Sequence, residues 1–278
     1  MVPYFSIDRV GFVGSGSVAY ALGALAGRGF SLGFYDIDPN RSRRLAKLLG
    51  GEMFNSLEGL ASWSDLIVVS VPGGMMSEVL GRVFDLLRRG DRIVAVTDVA
   101  TFKSNIIGVY SRAPDNVIVA SSHPLFGRRV SKPQAYRVVV IPIPGREGEA
   151  VHVEGFYKML GVKTSIIDWE THDLMVARTI GLSYLVGLTV KLMHKDTDPR
   201  VLEAFMSTTF STIWVLAEAV SSDPDGLIRE IIGHGETVKV AGEVARLLKD
   251  VVEGYIEVVS GDDRAYDYIY RLVEGLEE

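Results

Sequence analysis

The chain has no cysteine, which excludes disulfides, thiol nucleophiles and cysteine-ligated metals. No Cys/His spacing of a metal site is present either, so no metal is expected. Amides are scarce, with one glutamine and four asparagines, a sparing of thermolabile side chains seen in heat-stable proteins. Basic residues are outnumbered: 29 Lys and Arg stand against 35 Asp and Glu, for a net charge of −6. That balance argues against a nucleic-acid surface and against binding to an anionic membrane. Any positive charge that meets an anionic substrate must therefore be local. Long hydrophobic runs are missing too. The most apolar stretch, Ile180 to Met193, falls short of the ~18 residues of a membrane span, so a buried helix is expected there. The start, "MVPYFSIDRVGFVG", has no basic region followed by an apolar segment and a small cleavage site. A leader is not expected, and a cytoplasmic location is.

What is present is a chain of 278 residues, 47% hydrophobic, enough for one large domain or two modest ones. Its first half alternates short β-rich runs with helical patterns. Strands are expected at Arg9–Val13, Ser31–Tyr35, Asp65–Val71, Arg92–Thr97, Val117–Ala120, Arg137–Ile143 and Lys163–Ile167. Runs such as "DLIVVSV" and "RVVVIPI" are apolar almost throughout, the pattern of strands covered on both faces. Helices are expected at Val18–Gly27, Asn40–Leu49, Met75–Leu87 and Lys103–Ser111. This alternation implies an α/β class fold, a doubly wound parallel sheet. After Asp168 the strand signals stop. A long helical segment begins with Asp168 or Thr171 as its N-cap, followed by helices over Pro199–Ala219, Asp223–Ile232, Glu236–Val259 and Arg264–Glu278. The domains are set at 1–167 and 168–278, the second all-helical. Its small size suggests that the apolar helix near 180–193 packs against more than its own domain, as in a homodimer.

"RVGFVGSGSVAYAL" contains Gly14-Ser15-Gly16-Ser17-Val18-Ala19, the G-x-G-x-x-G/A pattern between a strand and a helix. Gly14 permits the tight turn, Gly16 lets a pyrophosphate approach the backbone, and Ala19 lets helix and strand pack closely. The helix N-terminus offers free N–H groups to the phosphates. The next strand ends in Asp36, 22 residues on (36 − 14), where a carboxylate can accept from both ribose hydroxyls and repel a 2′-phosphate. A Rossmann-type domain holding NAD follows, with NADP left open by Arg41, Arg43 and Arg44. "VPGG", with Val71 and Pro72, ends another strand and either closes over the cofactor or is a plain turn.

Ligands of open α/β sheets bind beyond the carboxyl ends of the strands. "SSHPLFG" places His123 just past one such end, and "TDVATFK" places Thr101 past another, at the start of the next helix. Two polar motifs beside a dinucleotide turn describe a hydride-transfer site. His123 alone could be a turn histidine, and Thr101 a helix cap.

These stretches resemble the prephenate/arogenate dehydrogenase family of tyrosine biosynthesis. "DVATFK" is similar to that family's D-V-x-S-x-K, "SHPLFG" to its H-P-M-F-G, and "THDLM" at 171–175 to the His-Asp pair that opens its interdomain helix. The resemblance spans residues 9–175. It implies NAD-dependent oxidative decarboxylation of a small anionic cyclohexadienyl acid, with His123 bonding the reacting hydroxyl and Thr101 orienting His123 or the substrate. A neutral imidazole suits that proton. His172 is implied as a hinge or supporting residue, or is simply part of a first helical turn.

Two of the family's features are missing. Where it carries a further histidine in the interdomain helix, this chain has Gly181 and Tyr184, and "WVLAEAVSSDPDGL" lacks its carboxylate-binding arginine. Arg128, Arg129 or Arg178 could substitute, or be ordinary surface charges. A β-hydroxyacid dehydrogenase would need a catalytic lysine on the interdomain helix, and none occurs from Trp169 to Val190. A non-catalytic dinucleotide-binding regulator is the third alternative, motivated by the missing arginine.

Overall fold

The computed structural model describes residues 6–127, 132–254, 261–262 and 264–274, in two compact units, Met1–Asp173 and Leu174–Glu278. In the first unit, strands β1 (Arg9–Val13), β2 (Ser31–Tyr35), β3 (Glu52–Met53), β4 (Leu66–Val69), β5 (Val94–Asp98) and β6 (Val117–Val119) form a parallel sheet. Its order is β3-β2-β1-β4-β5-β6, so the winding reverses between β1 and β4. A doubly wound sheet opens its ligand crevice at that reversal.

Alternation across the sheet builds two cores. Leu66 and Val68 of β4 point to one, while Ile67 and Val69 point to the other. The first core includes α1 (Ser17–Ala26) and α2 (Pro39–Leu49); the second includes α3 (Leu57–Trp63) and α4 (Gly73–Leu87). Every residue of β4 and β5 is buried; β4 is apolar throughout, while β5 ends in buried Thr97 and Asp98.

The strands at Arg137 and Lys163 do not join this sheet. A second sheet, β7-β8-β9, contains β7 (Ser121–Pro124), β8 (Arg137–Ile141) and β9 (Lys163–Ile166), with α5 (Ala150–Met159) between the last two. The cause is β7, which follows β6 after one residue and pairs antiparallel with β8, His123 opposite Val139. His123 is therefore a strand residue, not a turn residue.

The helix expected over Lys103–Ser111 is also replaced. Its first residues form a turn in which the Lys103 side chain folds inward onto the Ala100 carbonyl at 2.6 Å, and only a 3-10 helix, Ile107–Arg112, follows. Thr101 caps nothing.

α6 (Trp169–Val176) contains the division between the units, and Asp168 caps it, its Oδ1 accepting the Thr171 N–H at 2.8 Å. It runs through a π turn, Ala177–Gly181, into α7 (Leu182–Met193) as one 25-residue helix. By length and composition this helix could cross a membrane, which the shorter Ile180–Met193 stretch did not suggest. The buried helix expected at Ile180–Met193 is only partly covered. Within the second unit Gly181, Tyr184 and Gly187 are buried while Leu192 and Met193 are exposed, and Gly187 lets α7 approach the next long helix so closely that a Cβ there would meet Val220 at 2.6 Å. The helix expected over Pro199–Ala219 is two, α8 (Pro199–Ala204) and α9 (Thr208–Ser221). Ser207 restarts it by accepting the Phe210 N–H on its hydroxyl. α10 (Asp225–Gly233), α11 (Gly235–Val252) and α12 (Ala265–Glu274) complete the unit.

Candidate active site

The glycine turn joins β1 to α1. Gly14 has φ of +92°, and a Cβ there would stand 2.5 Å from the Ser70 carbonyl oxygen, so both conformation and space demand glycine. Ser70, just past β4, donates its hydroxyl to the Gly14 carbonyl at 2.9 Å, tying the second strand-end turn, Val71-Pro72, to the first. Gly16 is different: a Cβ there would meet nothing within 4 Å, so the backbone faces open space. α1 has no side-chain cap at Gly16, the Ser15 hydroxyl is buried without a partner, and Ser17 is exposed beside half-buried Val18. Asp36, past the end of β2, accepts the Ser15 N–H at 2.7 Å and the Asp38 N–H at 2.9 Å, which presents its carboxylate beside the turn. Uncapped N–H groups, an orphaned hydroxyl, an open backbone and an acid at β2 fit a dinucleotide's pyrophosphate and ribose.

A buried polar cluster lies past the carboxyl end of β5. Lys103 is fully buried and its Nζ contacts Asp98 Oδ1 at 3.0 Å, the Ala100 carbonyl at 2.6 Å and the Ser122 carbonyl at 2.8 Å. Tyr110 donates to the other oxygen of Asp98 at 2.6 Å. The Ser122 hydroxyl contacts the Asp98 carbonyl, Tyr157 and Thr97 at 2.7, 2.7 and 3.0 Å. These bonds hold β7, and with it His123, against the end of β5.

His123 is 6% exposed, and its Nδ1 lies 3.0 Å from Nε2 of His172, itself 3% exposed. His172 Nδ1 lies 2.8 Å from Asp173 Oδ1. Asp173 in turn accepts the main-chain N–H groups of Lys103 and Ser104. His123 Nε2, on the far edge of its ring, has no hydrogen-bond partner among the described residues and is not a sealed polar atom. Burial, then the Lys103 ammonium and the His172 ring, hold the His123 imidazole well below the ordinary histidine range. Burial lowers His172 too, against the opposing bond to Asp173. For Asp173, burial favours the acid, but the His172 ring and the two N–H donors outweigh it and keep the carboxyl below its usual value. Both rings are thus neutral near pH ~7, with a carboxylate behind them.

The sequence motifs converge only in part. His123 and His172 are brought together. Thr101 sits in an unpaired bend after β5, its hydroxyl bonded to nothing among the described residues, and His123's partner is His172 instead. Arg178 faces Glu243 at 3.4 Å, and Tyr184 donates to Asp223, both inside the second unit. Arg128 and Arg129 lie outside the described residues. Sequence reasoning named the His172-Asp173 pair but passed over Lys103, Asp98 and Ser122 as site-builders. The signal was there in Asp98 and Lys103, an oppositely charged pair five residues apart at the end of an apolar strand.

Fold and site together define a class: a Rossmann-type chain with a helical C-terminal unit and a buried histidine cluster at the sheet's carboxyl edge. No protein-family model matches the chain. A curated relative, the probable arogenate/prephenate dehydrogenase of Methanocaldococcus jannaschii, is 23% identical over 252 residues, 84% of this chain and 55% of that protein. The chain spans about half the length of the curated relatives it matches. Aquifex aeolicus prephenate dehydrogenase, solved with hydroxyphenyl propionate and NAD+, has the same fold at a TM-score of 0.74 and 17% identity, over 98% of this chain and 96% of that one. Synechocystis arogenate dehydrogenase follows at 0.68 and 17%, over 97% of each chain. The chain thus shares its fold with solved prephenate and arogenate dehydrogenases and resembles curated members of that family at 23% identity.

Proposed function

We propose that the chain oxidises and decarboxylates a cyclohexadienyl acid, prephenate or arogenate, with NAD as the oxidant. One observation carries this reading: His123 is held at Nδ1 by His172 and has no partner at Nε2 among the described residues, while burial keeps its imidazole well below the ordinary histidine range. A dinucleotide bound at the Gly14–Val18 turn, with Asp36 on its ribose, supplies a hydride acceptor. His123 Nε2 takes the proton of the ring hydroxyl as that carbon becomes a carbonyl. The ring carboxylate then leaves as carbon dioxide, its bonding pair aromatises the ring and returns charge to the carbonyl oxygen, and that oxygen takes a proton back to give the phenol. General-base assistance of this kind supplies ~10²–10⁴ in rate. Thr101, whose hydroxyl is unbonded among the described residues, bonds the substrate rather than His123. Asp36 favours NAD over NADP by repelling a 2′-phosphate.

The helical unit pairs with a second copy of the chain in this proposal. Its buried apolar side chains are few, while Phe205, Val238, Leu248, Val251 and Val252 are largely exposed. Soluble chains seldom leave so much apolar surface uncovered.

The test is cofactor reduction with prephenate and arogenate side by side, on the parent chain and on His123→Asn. The variant should keep cofactor affinity and lose turnover by ~10²–10⁴. Tight cofactor binding with no turnover on either acid would favour the regulator alternative. Undiminished turnover in the variant would remove His123 from the chemistry.

A further inference from the structure

His123, His172 and Asp173 form one line of hydrogen bonds, and its donors and acceptors are fixed from the acid end. Asp173 Oδ1 accepts the Lys103 N–H at 2.8 Å, and Oδ2 accepts the Ser104 N–H at 2.8 Å. A carboxylate engaged by N–H donors can only accept, so His172 Nδ1, 2.8 Å from Oδ1, carries a hydrogen. A neutral imidazole has one N–H. His172 Nε2 is therefore bare, and it accepts from His123 Nδ1 at 3.0 Å. His123 has then used its own N–H, and its Nε2 is left with a lone pair pointing away from the line. Orientation and basicity at that atom are set two residues back, at Asp173.

We propose that His172 positions His123 and relays the reaction's proton away from it, a role that rests on the proposed dehydrogenase only for where the proton comes from. The substrate hydroxyl's O–H bond breaks, and His123 Nε2 gains the hydrogen. The Nδ1–H of His123 passes to His172 Nε2. His172 becomes the imidazolium, its Nδ1–H still on Asp173, and His123 is neutral again in its other tautomer. One proton enters and none is lost until the pair gives it up, directly or through water, to the oxygen that becomes the product's phenol.

The charges around the rings favour this resting place. Among the described residues, Lys103, Asp98 and Asp173 are the charged groups that act on His172. Asp173 is bonded directly to His172 but reaches His123 only through that ring. Lys103 opposes a charge on either ring, and His172 alone has a carboxylate in contact to offset it. The buried set Asp98, Lys103 and Asp173 sums to −1 with both rings neutral, so one added proton brings it to zero.

Two measurements test the assignment. Nitrogen NMR of the labelled histidines, assigned with His172→Gln and His123→Asn, reads the tautomers with no substrate present. Both rings should carry hydrogen on Nδ1 near pH ~8. On acidification one proton should change both rings at once, His172 gaining hydrogen on Nε2 while His123 exchanges Nδ1–H for Nε2–H. A hydrogen on His172 Nε2 in the neutral form, or two rings that titrate independently, would overturn the relay. In turnover, His172→Gln keeps an acceptor for His123 Nδ1–H but cannot pass a proton on. It should lower kcat by about 10-fold with KM little changed, and reduce the solvent isotope effect from two transferring protons to one. An unchanged proton inventory would also overturn it. A parent chain inactive on both acids would count against the proposed function, and the NMR result would still decide the relay.

Discussion

Replacing Lys103 by methionine removes the cation from a fully buried ion pair while keeping the side chain's length. Asp98 would keep the Ala100 N–H and the Tyr110 hydroxyl, at 2.8 and 2.6 Å, but lose its counter-charge at 3.0 Å. Breaking a buried pair from one side costs about 3–5 kcal/mol, because the remaining charge stays desolvated and alone. The Ala100 and Ser122 carbonyls also lose their donor, and these losses overlap with the first rather than add to it. For a unit of this size the fall in Tm should be about 6–20 °C. Adding Asp98→Asn removes the orphaned charge while leaving an amide that can bond Tyr110. The double variant should therefore recover more than half of the loss, and a double-mutant cycle in urea should give a coupling of about 2–4 kcal/mol. The variant also reports on the site. Without the ammonium nearby, His123 protonates more easily, so the acid limb of the kcat/KM profile should move to higher pH. A single variant within about 1 kcal/mol of the parent, with no coupling to Asp98, would refute the account of the pair as the clamp on β7.

Other outcomes follow from the same geometry. His123 and His172 both have folded pKa values below the unfolded one, so the unfolded chain binds more protons as pH falls through ~6.5. Stability should be level above that point and decline below it towards the folded values, which urea midpoints across the range would show. Asp36→Ala should weaken NAD binding by about 10- to 100-fold and narrow the preference over NADP, measured by fluorescence titration of each. If a cation grips the substrate carboxylate, one of Arg128→Ala, Arg129→Ala or Arg178→Ala should raise KM by about 10-fold or more; if none does, all three substitutes are wrong.

The Rossmann-type half of the fold was legible because its signals are local. Gly14 needs a positive φ, β4 and β5 need apolar side chains on both faces, and Asp36 stands at the end of the next strand. Each fact is written within a few residues. β7 is the counterexample. Ser-Ser-His-Pro has neither alternation nor β-branched residues, and it becomes a strand only because β8, about fifteen residues on, pairs with it. The Lys103–Ser111 helix failed for a related reason. Its residues suit a helix, but Lys103 turns inward to reach Asp98 and the carbonyls of Ala100 and Ser122, and tertiary bonds overrode propensity.

The places where local rules fail are the places where the site is built. A lysine with no exposed surface, a strand made of serines and a histidine, and a His-Asp pair buried in a first helical turn are each poor choices for stability alone. Side by side they supply what each lacks. The lysine anchors the serine strand to β5 through the Ser122 carbonyl, and the strand delivers His123 to His172. Asp173 then binds the main chain at Lys103 and Ser104, which closes the circuit back to the turn that holds the lysine. Because every member is fixed by another, His123 Nε2, which has no partner among the described residues, is held in a single orientation, and orientation is what the proposed general base must have before its pKa matters.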